Sequence, residues 1–194
     1  LKTIGRKHTA QQFFDAFELA RKCGFDNINT DLIAGLPTDT PESFKNSLDS
    51  IVRLNAECIT VHTLCMKRAS RLTTEGVTLD LQQARDAREM LAYTQNILGQ
   101  NEYIPYYMYR QSRMVGNLEN VGWSKKGFES LYNVYVMDET HTILACGSGG
   151  VTKLKRNNPD YLERIFNFKY PYEYIDRFDE LIQRKSGIMQ FYGQ

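Results

Sequence analysis

The chain has 194 residues, 42% hydrophobic and 12% aromatic, which supplies a sizeable core and excludes a disordered tail. Lys plus Arg number 24 against 23 Asp plus Glu, a net charge of +1, so no broad field draws the chain to nucleic acid or to an anionic membrane. No apolar run approaches a membrane span, the opening residues are not a signal peptide, and the cysteines at 23, 58, 65 and 146 lack CxxC spacing, so reduced thiols in a cytoplasmic protein are expected.

Ala10, Phe13, Phe14, Phe17 and Ala20 recur at helical spacing, with Thr9 suited to the N-cap, Gln12 to a capping box, and Gly24 to the C-terminal stop. Residues 28–33 read as a strand closed by Gly35-Leu36-Pro37. Thr40-Pro41 opens a second helix whose apolar face is Phe44, Leu48, Ile51 and Val52, and residues 58–64 form the next buried strand. A third helix is predicted from Asp80 to about Leu98. Beyond it, 103–109, 132–137 and 142–146 read as strands, the first pushed towards a sheet edge by Pro105, and 172–190 returns to helical spacing. Strand–helix–strand–helix followed by a sheet extension predicts an α/β fold built on parallel βα units. The chain enters at a helix with no strand before it, which is the expectation for a fragment.

Asp31 lies at the end of a strand, where parallel βα folds hold ligands, and its carboxylate could accept hydrogen bonds from ribose hydroxyls; a loop cap is the alternative. Arg6, taken alone, reads as a surface charge. Gly147-Ser148-Gly149-Gly150 either lets a ligand approach the backbone or makes a tight turn, and it lacks the GxGxxG and GK[ST] patterns. His8, His62 and His141 form no metal motif, and His62 is expected as a satisfied core histidine. The cysteine spacing suits no iron–sulfur cluster. Tyr106, Tyr107, Tyr109, Arg110 and Gln111 could line a pocket for a planar carboxylated ligand, or simply cover a half-exposed sheet. Trp123 points to no function.

The stretches LKTIGRKHT, FDNINTDLIAGLPTDTPESF, ITVHTLCMKRAS, YYMYRQSRMVGNLENVGW and LYNVYVMDETHTILACGSGGVTK occur in one order up to about Lys153. Together they resemble the oxygen-independent coproporphyrinogen III oxidase family of radical S-adenosylmethionine (SAM) enzymes. The YRQ…GNLENVGW run points to its HemZ-type branch. The resemblance implies the C-terminal half of a radical SAM barrel, a partial TIM-like (β/α) barrel over 1–100, with family-specific strands and helices over 101–194. It implies SAM and a [4Fe–4S] cluster as cofactors. The cluster's CxxxCxxC loop does not occur in this sequence, so the chain alone is expected to be inactive.

By resemblance, Arg6 helps to bind SAM at its carboxylate and Asp31 is a ribose ligand. Cys65 stands where members often place alanine in the nucleoside pocket, and Val151 lines the other SAM site. The implied reaction of the whole enzyme is oxidative decarboxylation of two propionates of coproporphyrinogen III to vinyl groups, with an electron donor serving the cluster. The alternative is a haem-binding chaperone of the same family. A half-barrel leaves strand 28–33 without a neighbour, so pairing with a second copy of the chain through that edge is also expected.

Overall fold

The computed structural model describes residues 5–65, 80–112, 114–157 and 160–193. Of the stretches that carry the resemblance, residues 1–4, 66–70 and 113 lie outside the described residues. The chain divides into two compact units, Leu1–Ser130 and Leu131–Gln194.

Local capping chemistry starts the helices of the first unit. The Thr9 hydroxyl accepts the Gln12 amide and the Gln12 side chain accepts the Thr9 amide, opening α1 (Ala10–Lys22), and Gly24 follows its end at a φ of +88°. The strand β1 (Asn29–Ala34) leads to α2 (Pro41–Arg53), capped by Thr40 with proline in its first turn. After β2 (Cys58–Thr63), a second capping box between Asp80 and Gln83 opens α3 (Leu81–Gln100). Then come β3 (Tyr103–Tyr109) and β4 (Asn120–Lys125), joined by a 3-10 turn at Val115–Asn117.

These four strands form one sheet in the order β1-β2-β4-β3. β1 and β2 are parallel, with Asp31 opposite Thr60 and Ile33 opposite His62, while β4 runs antiparallel to both of its neighbours. One face is apolar. Ala34, Ile59, Val61, Tyr103 and Trp123 pack in a single core with Phe17, Phe44, Leu48, Ile51, Met90 and Leu98 of the three helices. Each fully buried side chain of Leu or Phe size there contributes roughly 1.5–3 kcal/mol. The other face carries Asn29, Asp31, Thr60, His62, Gly122 and Asn120, the partners of one another in the ladder or alternate neighbours along it.

A bulge in β3 decides what that polar face receives. Register shifts between Pro105 and Tyr107, so Tyr103 and Pro105 point with the helix-packed residues Lys125 and Trp123, whereas Tyr107 and Tyr109 pair with Gly122 and Asn120. The Tyr107 ring lies directly over Gly122, where an added Cβ would sit 1.8 Å from Tyr107 Cε1.

In the second unit, β5 (Val151–Asn157) and β6 (Asp160–Phe166) form an antiparallel hairpin. Three short helices follow, at Pro171–Asp176, Phe178–Lys185 and Gly187–Tyr192, in place of one continuous helical tail.

Several expectations are corrected. Residues 132–137 are not a strand but fall within the helix Leu131–Asp138, which closes its own backbone bonds where no described strand pairs with it. Residues 142–146 make only an isolated bridge, Ile143 to Lys153. Trp123 is a core residue of β4, the strand that inserts between β2 and β3. β3 and β4 hydrogen-bond into the first sheet, and the compact division of the chain falls at Ser130. Among the described residues neither sheet closes, and β1 stands at one edge of its sheet.

Arg21 and Glu57 fasten the first unit together. Arg21 Nη2 donates to Glu57 Oε1 at 2.7 Å and Oε2 at 2.8 Å, and the Ile28 amide donates to the same carboxylate at 3.0 Å. Further guanidinium bonds reach the carbonyls of Phe25 and Asn55, so the end of α1, the entry to β1 and the start of β2 meet at one point. Burial pushes the Glu57 carboxyl up, but the Arg21 and Ile28 hydrogen bonds outweigh it and leave the group below its ordinary value of 4.5.

Its contribution is therefore complete above that ordinary value and fades as pH falls through the lower native one. Glu57→Ala should destabilise the protein by about 2–3 kcal/mol at neutral pH, and by progressively less on acidification, in urea melts at stepped pH. Gly122→Ala should cost about 1–3 kcal/mol by displacing the Tyr107 ring, and adding Tyr107→Ala should recover part of that loss in the same assay.

Candidate functional site

Parallel strands end together, and the space beyond their C-termini is where a βα sheet can admit a ligand. Here an open groove of about 910 Å³ lies at β1 and β2 and their ends, lined by residues of the polar face and also by Phe13, Thr30, Leu32 and Phe44 of the helix-packed side. Arg6, Asp31 and Cys65 all line it, with His62, Tyr109 and Asn120 across from β1 and Leu36 and Asp39 from the turn before α2. Val151, the fourth expected residue, begins β5 in the second unit and is half-buried there.

The turn that ends β1 is shaped by Gly35. Its φ of +80° is a left-handed value, its amide donates to Met90 Sδ at 3.3 Å, and an added Cβ would meet Ala87 Cβ at 3.1 Å. Turn chemistry and close packing on α3 thus explain this glycine. The end of β2 is held by Asn120, whose Oδ1 accepts the Thr63 amide at 2.7 Å, while Thr63 Oγ1 donates to the Glu119 carbonyl at 2.9 Å.

Asp31 does not cap a loop. Its side chain is 60% exposed to the groove, Asn29 Nδ2 donates to Oδ1 at 2.7 Å, and His62 Nε2 stands 3.7 Å from Oδ2. His62 is the strongest influence on the carboxyl and holds it below its ordinary value of 3.8; partial burial opposes this, and Asn29 and Thr60 add to it. The group is an anion with exposed surface, suited to accept hydrogen bonds from a pair of hydroxyls.

His62 is not the core histidine expected from sequence. Its side chain is 29% exposed, and Tyr109 Oη lies 3.4 Å from its Nδ1. A second chain of polar contacts runs behind it, with Thr60 Oγ1 donating to Asn29 Oδ1 at 3.0 Å and lying 3.3 Å from Tyr107 Oη. Burial raises the Tyr107 hydroxyl above the ordinary tyrosine value. The signal for this face was present in sequence as Asn29-x-Asp31 and Thr60-x-His62, two i, i+2 polar pairs on strands that must lie side by side.

Arg6 is exposed at the groove, and Cys65 is half-buried. The Cys65 thiol donates to the Ser112 carbonyl at 3.3 Å, and its backbone bridges to Met114. Its sulfur is thereby directed at neighbouring chain.

A groove of this size is within the usual range for small-molecule sites. Asp31 for vicinal hydroxyls and Arg6 for a carboxylate are a donor set that fits SAM. An iron–sulfur cluster does not fit. Among the described residues no three His, Cys, Asp or Glu side chains converge to hold a metal. Cys58 is buried between Asn27, Ser124 and the Phe128 carbonyl, which accepts from its thiol at 3.1 Å.

Sheet, helices and groove define an α/β protein with an open groove at the C-terminal ends of its parallel strands. No protein-family model matches the chain. It is 37% identical over 190 residues, 98% of its length, to the oxygen-independent coproporphyrinogen-III oxidase-like protein HemZ of Bacillus subtilis, of which it covers 38%. It is 32% identical over 81% of its length to the heme chaperone HemW of Lactococcus lactis, covering 40% of that protein. Among solved structures, the radical SAM enzyme coproporphyrinogen III oxidase (HemN) of Escherichia coli matches 92% of this chain and 40% of its own, with a TM-score of 0.63 and 18% identity, a likeness of fold. The chain is thus similar over most of its length to proteins named as oxygen-independent coproporphyrinogen III oxidase-like, and it spans 38–40% of the length of these relatives. Among the described residues no helix is long and apolar enough to cross a membrane.

Burial pushes the Cys58 thiol up, with Ser124 partly opposing, whereas Cys23 and Cys146 are exposed. Under brief alkylation followed by peptide mass mapping, Cys23 and Cys146 should label first, and Cys58 only after unfolding. Equal labelling of Cys58 and Cys146 in the native protein would contradict this packing.

Proposed function

We propose that this chain supplies one side of the SAM site of an oxygen-independent coproporphyrinogen oxidase-like radical SAM protein. One observation carries the reading: Arg6, Asp31 and Cys65, far apart in sequence, line one groove at the ends of two parallel strands. In this reading Asp31 accepts hydrogen bonds from the ribose hydroxyls, Arg6 pairs with the methionyl carboxylate, and the main chain at Cys65 borders the nucleoside. Val151, after the glycine-rich turn of the second unit, lines the other SAM.

When bound, SAM supplies hydrogen-atom abstraction from a substrate carbon, and the protein's part is to orient and shield it. The cluster ligands lie outside this sequence. The substrate class is a propionate-bearing tetrapyrrole such as coproporphyrinogen III. Oxidation of a propionate to a vinyl group also releases CO2 and an electron, which would need an electron acceptor outside this chain.

A second reading is favoured by the relative named as a heme chaperone, which this chain matches over 81% of its length. There the same scaffold holds haem without oxidising a precursor. Reconstitution of the full-length protein that contains this sequence separates the two: vinyl product with SAM consumption supports the oxidase, and stoichiometric haem retention without turnover supports the chaperone.

For the site itself, Arg6→Ala should weaken SAM binding about tenfold by removing a charge-assisted hydrogen bond at an exposed position. Asp31→Asn should weaken it comparably, because an amide offers one acceptor oxygen where the carboxylate offers two. Calorimetric titration of SAM into the full chain measures both. Unchanged affinity in both variants would remove Arg6 and Asp31 from the site.

A further inference from the structure

The resemblance that points to Arg6 and Asp31 assigns nothing to His62, yet His62 is the group that faces Asp31 across the β1–β2 pair. Three observations converge on it. Its Nε2 is 3.7 Å from Asp31 Oδ2, while the opposite oxygen of that carboxylate is already engaged by Asn29 Nδ2 at 2.7 Å. Its Nδ1 is 3.4 Å from Tyr109 Oη, on a residue that reaches this face only because β3 carries its bulge. Its ring lines the same groove as Asp31 and Tyr109, with 29% of the side chain exposed.

We infer that His62 is a positioning residue for Asp31, in the chain Tyr109 Oη–H to His62 Nδ1 and His62 Nε2–H to Asp31 Oδ2. The inference rests on the reading of Asp31 as the ribose ligand.

A neutral imidazole carries one proton on one of two nitrogens, and the partner of the other nitrogen decides which. A tyrosine hydroxyl that donates to Nδ1 leaves the proton on Nε2, the nitrogen aimed at Asp31. The carboxylate is then held from both sides, by Asn29 on Oδ1 and by His62 on Oδ2. Rotation about its terminal torsion is restricted, and the remaining lone pairs stay directed into the groove. The 3.7 Å separation is longer than a full hydrogen bond. Contacts of this kind commonly tighten when the ligand arrives and excludes water.

Nothing here requires His62 to be charged. The other titratable or charged groups lining this groove are Arg6 and His8 from the segment before α1, Asp39 from the turn before α2, and Cys65 after β2.

The test uses the full chain with histidine labelled in both ring nitrogens, the His62 signals being identified by their loss in His62→Gln. Two-bond nitrogen–proton correlation at a pH where the ring is neutral should show the Nε2–H form in the wild type and a mixture in Tyr109→Phe. In parallel, His62→Leu should weaken SAM binding about tenfold, while His62→Gln, whose side-chain amide can donate near the position of Nε2, should stay within about threefold of wild type. Circular dichroism melts confirm that the variants are folded. An Nδ1–H ring in the wild type, or wild-type SAM affinity in a folded His62→Leu, overturns the inference. If SAM does not bind the wild type, the functional reading of the groove fails. The tautomer and its response to Tyr109→Phe then still decide whether His62 orients Asp31.

Discussion

The in-phase parallel pairing of β1 with β2 is the constraint from which the site follows. Because Asp31 stands opposite Thr60 and Ile33 opposite His62, every second residue of each strand shares a face with its counterpart. A slip of one residue would drive Asp31 towards the helices and away from Thr60 and His62. The register is enforced from both faces. Ala34, Ile59 and Val61 need the helix-packed core, and Asn29, Thr60 and Asp31 need one another as hydrogen-bond partners. Hydrophobic burial and polar satisfaction thus select the same alignment, which is the consistency a well-determined fold requires.

Two further devices carry that alignment to the groove. The Arg21–Glu57 pair gathers three chain segments at the end opposite the site, so the strands leave a common anchor. At the other end Asn120 and Gly35 finish β2 and β1 by different means. One is a side chain that replaces a missing ladder partner, and the other a left-handed backbone packed against α3. The groove therefore sits between rigid ends, while Arg6 enters from a segment outside the sheet.

Much of the first unit was legible because its signals are local. Thr9 with Gln12, Thr40 with Pro41, and Asp80 each name a helix start through bonds made within four residues. Pro105 likewise marked an edge strand, since it has no amide to offer a second neighbour. What was not legible depends on long-range partners. β4 carries Asn120, Gly122 and Ser124 on one side, a composition that reads as loop until Tyr107 and Cys58 supply the other half of the surface. Residues 132–137 have the aromatic and β-branched content of a strand, but no described strand pairs with them and they coil. The β5–β6 hairpin did carry a readable signature, since Thr152 and Leu154, both buried, alternate with half-buried Val151, Lys153 and Lys155. Of the site, Asp31 was legible from its place at a strand end. The role of His62 was not, because a histidine inside a strand faces core or groove according to a register that only the neighbouring strands define.

The bulge in β3 has a consequence for how this part of the protein can vary. Deleting Tyr106 would restore regular pairing with Tyr107 still opposite Gly122 and Tyr109 still opposite Asn120, whereas deleting Met108 would bring Tyr109 opposite Val121 and take away the hydroxyl beside His62. Exchange of side chains along β3 alters the groove lining by degrees, whereas a change in its length beyond the bulge rebuilds the lining at a single step. Descendants of this sequence are therefore free to drift in the chemistry of the strand, and in its length at the bulge, but not in the residue count that follows it.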